Sequence, residues 1–110
     1  MSKLETRRLQ LSQELHALGT DHVYYIKPSN KGMEYPCIVY RPHLPDEVKA
    51  DNRTYLEHMY WDIQVIRTIS NRVQGEEIID QFKEHFAYKR QTRTGFVMDN
   101  LIYDDFVLKY

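Results

Sequence analysis

From Tyr55 to Ile69 the chain reads YLEHMYWDIQVIRTI, and within it Met59, Trp61, Ile63 and Val65 form an apolar row at every second position. Side chains alternate faces along a strand, so a period of two describes a long strand with one face in a core. His58, Asp62, Gln64 and Thr68 supply the other face, which Tyr60 and Ile66 interrupt. That interruption implies cover on the second face too, for instance by another subunit. A strand committed on both faces needs neighbours on each side, so the remaining segments are read for what they add to this one.

Two helical segments supply the layer. Leu4, Leu11, Leu15 and Leu18 recur along one side of a helix, with Leu9 widening the stripe and Gly19 placed for a left-handed stop. Ser2 and Glu5 have the spacing of a capping box. Ile78, Phe82 and Phe86, with Ile79 beside them, predict a second helix over about Gly75 to Phe86. Its wet side holds Glu76, Glu77, Asp80, Lys83, Glu84 and His85, with acidic residues near its start to suit the helix dipole.

Between the helices, His22–Lys27 (HVYYIK) reads as a short strand, and Pro28–Gly32 breaks it. Tyr35-Pro36 opens a continuous apolar strand, Cys37 to Tyr40, with Val39 among its core candidates and Pro42 expected to end it. Phe96–Met98 and Leu101–Tyr110 read as strands joined by an Asp99-Asn100 turn. Apolar residues fall on both parities of the last segment, which leaves its buried side unassigned. The order of helix, strands, helix, strands predicts one α+β domain over 1–110, a mixed or antiparallel sheet with both helices on one face. The expected core is Leu11, Leu15, Cys37, Val39, Met59, Trp61, Ile63, Val65, Ile78, Phe82 and Phe86.

The segment Arg41–Arg53 is long for a sheet connection, with two prolines and mixed charge, and reads as an interaction arm at 41–53. Arg41, Asp46, Glu47, Lys49 and Arg53 are its candidate contacts. Charge is regional although the total is −1. Residues 83–93 carry a net +3 through Lys83, Lys89, Arg90 and Arg93 against Glu84, whereas Asp99, Asp104 and Asp105 follow with −3. Opposed patches of this kind can orient identical subunits, which makes Lys89, Arg90, Arg93, Asp104 and Asp105 candidate interface residues. The same residues also fit an ordinary solvated surface.

Motifs for chemistry are sparse. One cysteine, Cys37, excludes an internal disulfide and reads as a small buried thiol. None of the five histidines is identified as its partner in a nucleophilic pair. Asp46, Glu47 and Lys49 contain the letters of a metal-dependent nuclease, but adjacent acids in a loop lack the convergence such a site requires. Asp99, Asp104 and Asp105 read as an exposed acidic edge rather than a cation site. No cofactor or metal is expected. The near-neutral total offers no global attraction to nucleic acid or membrane. With no apolar run near the roughly 20 residues of a spanning helix and no signal-peptide core, synthesis in the cytoplasm is expected.

Tyr35-Pro36-Cys37-Ile38-Val39-Tyr40, the loop with Ala50-Asp51-Asn52, the aromatic strand after it and Asp99–Phe106 with the closing Val107–Tyr110 together carry a resemblance. Over nearly its whole length the chain resembles small tail-terminator, or tail-completion, proteins of long-tailed bacteriophages and related prophages. The resemblance implies a structural virion protein without catalytic turnover. It implies a homo-oligomeric ring, commonly a hexamer, at the head-proximal end of the tail. Such a ring stops tail-tube polymerisation and joins the head connector or stopper protein, and phage DNA passes through its lumen unread. The location so implied is the head–tail junction of the virion, after assembly in the host cytoplasm. The alternative role is a head-completion protein or minor capsid-associated neck adaptor.

Overall fold

A computed structural model of the chain describes residues 3–26, 33–43, 60–87 and 89–110. Helix α1 (Lys3–His16) buries Leu11 and Leu15 on one stripe, which Leu18 continues in the turn after it, while Leu9 lies outside the stripe and is exposed. Its end tightens through Ala17 N–H to the Glu14 carbonyl and Leu18 N–H to the Leu15 carbonyl, both 3.2 Å. Gly19 then takes φ 112°, the left-handed turn that its lack of a Cβ permits. Ser2, the expected cap, lies outside the described residues, as do Met59 and the stretch 44–58.

Strands β1 (Val23–Tyr25), β2 (Cys37–Pro42), β3 (Tyr60–Thr68), β4 (Lys89–Met98) and β5 (Leu101–Lys109) form one sheet in the order β1-β2-β3-β5-β4. β1 runs parallel to β2, and every other pair is antiparallel, so the sheet is mixed. β3, the strand with the apolar row, lies at the centre. Helix α2 (Arg72–His85) begins three residues before the Gly75 start expected from its apolar spacing. Its first turn is therefore Arg72 to Gly75 and holds no acid. Reciprocal bonds close the turn before it: Thr68 N–H donates to Asn71 Oδ1 (2.6 Å) and Asn71 N–H to Thr68 Oγ1 (3.2 Å).

Both helices cover the same face. Ile38 and Tyr40 of β2, Trp61, Ile63 and Val65 of β3, and Phe106 and Leu108 of β5 meet Leu11 and Leu15 from α1 and Leu18 from the turn after it. Ile78, Ile79, Phe82 and Phe86 close the cluster from the α2 side. Trp61 is fully buried, its ring 6.1 Å from that of Tyr40, and Phe82 stacks at 4.7 Å on Phe106. Glu14 ties the helices by accepting from His85 Nε2 (2.8 Å) and from the Tyr110 hydroxyl. Arg7 donates to the Tyr110 carbonyl at 2.7 Å, so the last residue is fastened to α1.

A smaller cluster fills part of the opposite face, where Cys37, Val39, Ile66 and Tyr103 pack with Tyr24, Met33, Tyr35 and Leu101 around them. Ile66 is thus covered by residues of its own chain. The same cluster explains β5, whose Phe106 and Leu108 point to the helices while Tyr103 points away. Cys37 and Val39 are buried as expected, but in this second cluster rather than under the helices.

Two boundaries differ from the sequence reading. β2 continues through Pro42, because His43 N–H reaches the Tyr60 carbonyl at 2.9 Å and Pro42 therefore turns its nitrogen to the other side. On that side β1 has already ended, at Tyr25 opposite Tyr40, so no ladder bond is lost. β4 is far longer than Phe96–Met98 and begins at Lys89. Its first seven residues are polar and its register slips twice, between Gln91 and Arg93 and between Arg93 and Phe96. The hairpin turn falls where expected, with Asp99 and Asn100 both at positive φ, 53° and 64°.

Candidate functional site: the open face of the sheet

The face without helices is half apolar and half charged, and the strand register sorts the two. Cys37 pairs with Ile66, and Ile66 with Tyr103, which builds the apolar end. Two residues further along, Val39, Gln64 and Asp105 align across β2, β3 and β5, followed by Arg41, Asp62 and Val107. Arg93 of β4 stands opposite Asp105. A groove of about 360 Å³ runs here, between Arg41 and Asp62 on one bank and Thr92, Arg93 and Met98 on the other.

Each bank holds a closed ion pair. Asp62 Oδ2 lies 3.4 Å from Arg41 Nε, and its Oδ1 lies 2.7 Å from His43 Nδ1. Asp105 Oδ2 lies 2.7 Å from Arg93 Nε, and the Arg93 guanidinium sits 4.3 Å over the Phe96 ring. Burial pushes the Tyr103 phenol above its ordinary range, with the Asp99 carboxylate adding to the rise and Arg93 opposing it. Tyr35 shifts the same way, again mainly through burial. Cys37 and His43 lie at opposite ends of β2, about 20 Å apart at strand rise, so they do not form a nucleophilic pair. Among the described residues no group of three His, Cys, Asp or Glu converges on a cation position. What this surface offers is a shaped, hydrogen-bonding face with its charges already matched.

The candidate interface residues therefore separate. Arg41 and Arg93 flank the groove with Asp105. Lys89 and Arg90 sit on the edge strand β4, with Lys89 Nζ donating to the Phe86 carbonyl at 2.7 Å. Asp46, Glu47, Lys49 and Arg53 lie outside the described residues, and of the expected arm only Arg41, Pro42 and His43 are described. Arg93 and Asp105, both expected as interface residues, pair with each other inside one chain. One expectation about charge is corrected. Asp104 is 2% exposed and belongs to the helix side of β5, not to an acidic edge.

Asp104 belongs to a buried network that the sequence reading missed. Its Oδ2 faces Arg67 Nη2 at 3.3 Å, and its Oδ1 accepts from Gly95 N–H (3.0 Å) and Gln91 Nε2 (3.3 Å) across the irregular stretch of β4. Arg67 donates onward to the Arg72 carbonyl at 3.1 Å. Gly75 lies directly on the Arg67 side chain: a Cβ there would come within 2.8 Å of Arg67 Cβ and closer still to Cδ. An isolated glycine near the start of a helical pattern was the available signal, because such a residue marks close approach.

At the far end of the sheet the β4–β5 hairpin exposes apolar side chains. Phe96 is 40%, Val97 59% and Met98 47% exposed. Phe96 faces the open side with Tyr103, and Val97 faces the opposite way, level with Ile102 and Arg67. Ile69 and Val73, also exposed, lie in the turn and first helical residues beside that end. No described helix is long and apolar enough to cross a membrane. Comparison of the chain with protein-family models, curated proteins and solved structures finds no match.

Proposed function

We propose that the chain is a structural subunit that assembles into a homo-oligomeric ring at the head-proximal end of a phage tail. There it ends tail-tube polymerisation and carries the surface that joins the head. The observation that carries the reading is the hairpin at residues 96–98, whose apolar side chains are exposed on both faces of the ribbon. Large apolar side chains grouped in the open at one end of a subunit point to a contact with another protein. The open sheet face adds a second, flatter surface with its ion pairs already closed, suited to docking by shape and hydrogen bonding. The resemblance carried by Tyr35–Tyr40 and Asp99–Phe106 supplies the identity of the assembly.

High-resolution imaging of intact virions or purified tails, with this chain traced in the density, tests the proposal. A ring at the head-proximal tail end is the expected result. Placement within the capsid shell or at the distal baseplate overturns it. Tail assembly without the protein gives an independent reading: overlong or unstable tails are expected, whereas regular finished tails beside defective heads point to a neck adaptor.

A further inference from the structure

We infer that the buried Arg67–Asp104 pair locks strand β4 into its slipped register, and so keeps a second copy from adding its own strand to that edge. The competing register follows from the hairpin itself. Its two-residue turn pairs Met98 with Leu101, Val97 with Ile102 and Phe96 with Tyr103. Continued without a slip, that ladder would set Thr94 opposite Asp105, Arg93 opposite Phe106 and Thr92 opposite Val107. β4 would then be a regular edge strand ten residues long, a template for pairing with another chain. In the structure Arg93 stands opposite Asp105, Gln91 opposite Phe106 and Arg90 opposite Val107. β4 thus takes six steps from Arg90 to Phe96 where β5 takes four from Val107 to Tyr103. Two one-residue slips restore the alternation of faces, which one alone would invert, and they bend and twist the edge.

Side chains supply the bonds across the slips. Asp104 Oδ1 accepts from Gly95 N–H (3.0 Å) and from Gln91 Nε2 (3.3 Å), while the Thr92 hydroxyl donates to the Asp105 carbonyl at 3.2 Å. Gly95 takes φ 59°, the left-handed conformation of a bulge glycine. Arg67 Nη2 faces the other Asp104 oxygen at 3.3 Å and is itself held through Nη1 on the Arg72 carbonyl. A buried ion pair adds little stability over apolar residues of similar size, and its best attested use is to fix register. The Arg93–Asp105 pair that accompanies the slipped register is partly exposed, and such pairs contribute little by themselves. This inference stands on the strand register and does not rest on the proposed ring.

Two variants of the full chain test it. One replaces the pair by apolar residues, Arg67→Met with Asp104→Leu. The other is Gly95→Val, whose Cβ would meet nothing within 4 Å but whose branched side chain disfavours positive φ. At a dilution where each chain is monomeric by sedimentation velocity, nuclear Overhauser contacts of Val107 read the register. They go to Arg90 in the slipped register and to Thr92 in the regular one. Both variants are expected to shift the ratio about tenfold or more toward the regular register, the effect of losing one hydrogen bond to a charged group or of forcing a β-branched residue into the left-handed region. At higher concentration both are expected to associate more strongly than the wild type, with new hydrogen-exchange protection of β4 amides. A folded variant that keeps the Arg90 contact alone overturns the inference, as does a regular register that brings neither association nor protection. If the double variant does not fold, Gly95→Val decides the question by the same contacts.

Discussion

Gly75 sets two opposing effects against each other at a single position. In a helix, glycine to alanine is favourable by about 1 kcal/mol through backbone entropy. Here the added methyl group would press on the buried stem of Arg67, and overpacking of this kind costs about 1–3 kcal/mol. Arg67 has little freedom to retreat, because its guanidinium is held between Asp104 and the Arg72 carbonyl. Gly75→Ala is therefore expected to lower stability, by up to roughly 2 kcal/mol in urea unfolding, the overpacking cost less the helix gain. A gain in stability would show that the Arg67 stem moves aside without loss. The Trp61 row and the leucine stripe of α1 were legible in the sequence, because an apolar side chain at a regular period has few places to go. The Arg67–Asp104 pair was not, since charged residues near strand ends are ordinarily solvated and nothing local marks a pair 37 residues apart as partners.

Among the elements, β4 shows why strand recognition failed and turn recognition did not. An edge strand with one neighbour and two register shifts needs no apolar alternation, so KRQTRTG carries no periodic signal. Asp99-Asn100, by contrast, carries its own conformational preference, and both residues take the positive φ that a tight hairpin turn demands. Asn100→Val places a β-branched side chain in that left-handed conformation and is expected to cost about 1–2 kcal/mol. Hydrogen exchange offers the local check. The Met98 and Leu101 amides next to the turn should exchange faster in the variant, while those of Ile63 and Val65 keep their rates unless the whole domain opens. The start of α2 was misplaced for a related reason. Its first turn packs through Gly75 on a charged side chain, so the apolar spacing does not begin until Ile78.

For the whole molecule, tyrosine burial contributes a dependence of stability on alkaline pH. Burial is the largest cause raising the phenols of Tyr25, Tyr35 and Tyr103 above their ordinary value of 10.0. The folded chain thus keeps these protons at a pH where the unfolded chain has released them. The stability this confers is complete below about pH 10 and is lost as pH rises through the folded values. Urea midpoints are expected to hold steady to about pH 9 and fall beyond about pH 10, with a shallower fall in Tyr103→Phe. A wild-type profile that stays flat to about pH 11 would contradict this account.

The strand order also has a temporal side. β5 follows both helices and all four other strands along the chain, yet it lies between β3 and β4. β4 has β5 as its neighbour in the sheet, so until residues 101–109 leave the ribosome it has nowhere to dock. During translation the flank of β3 that Phe106 and Leu108 will cover stays open while residues 69–109 are made, about 2–8 seconds at roughly 5–20 residues per second. The chain therefore gains its β4–β5 hairpin, with the exposed Phe96, Val97 and Met98, in the same step that closes its own sheet.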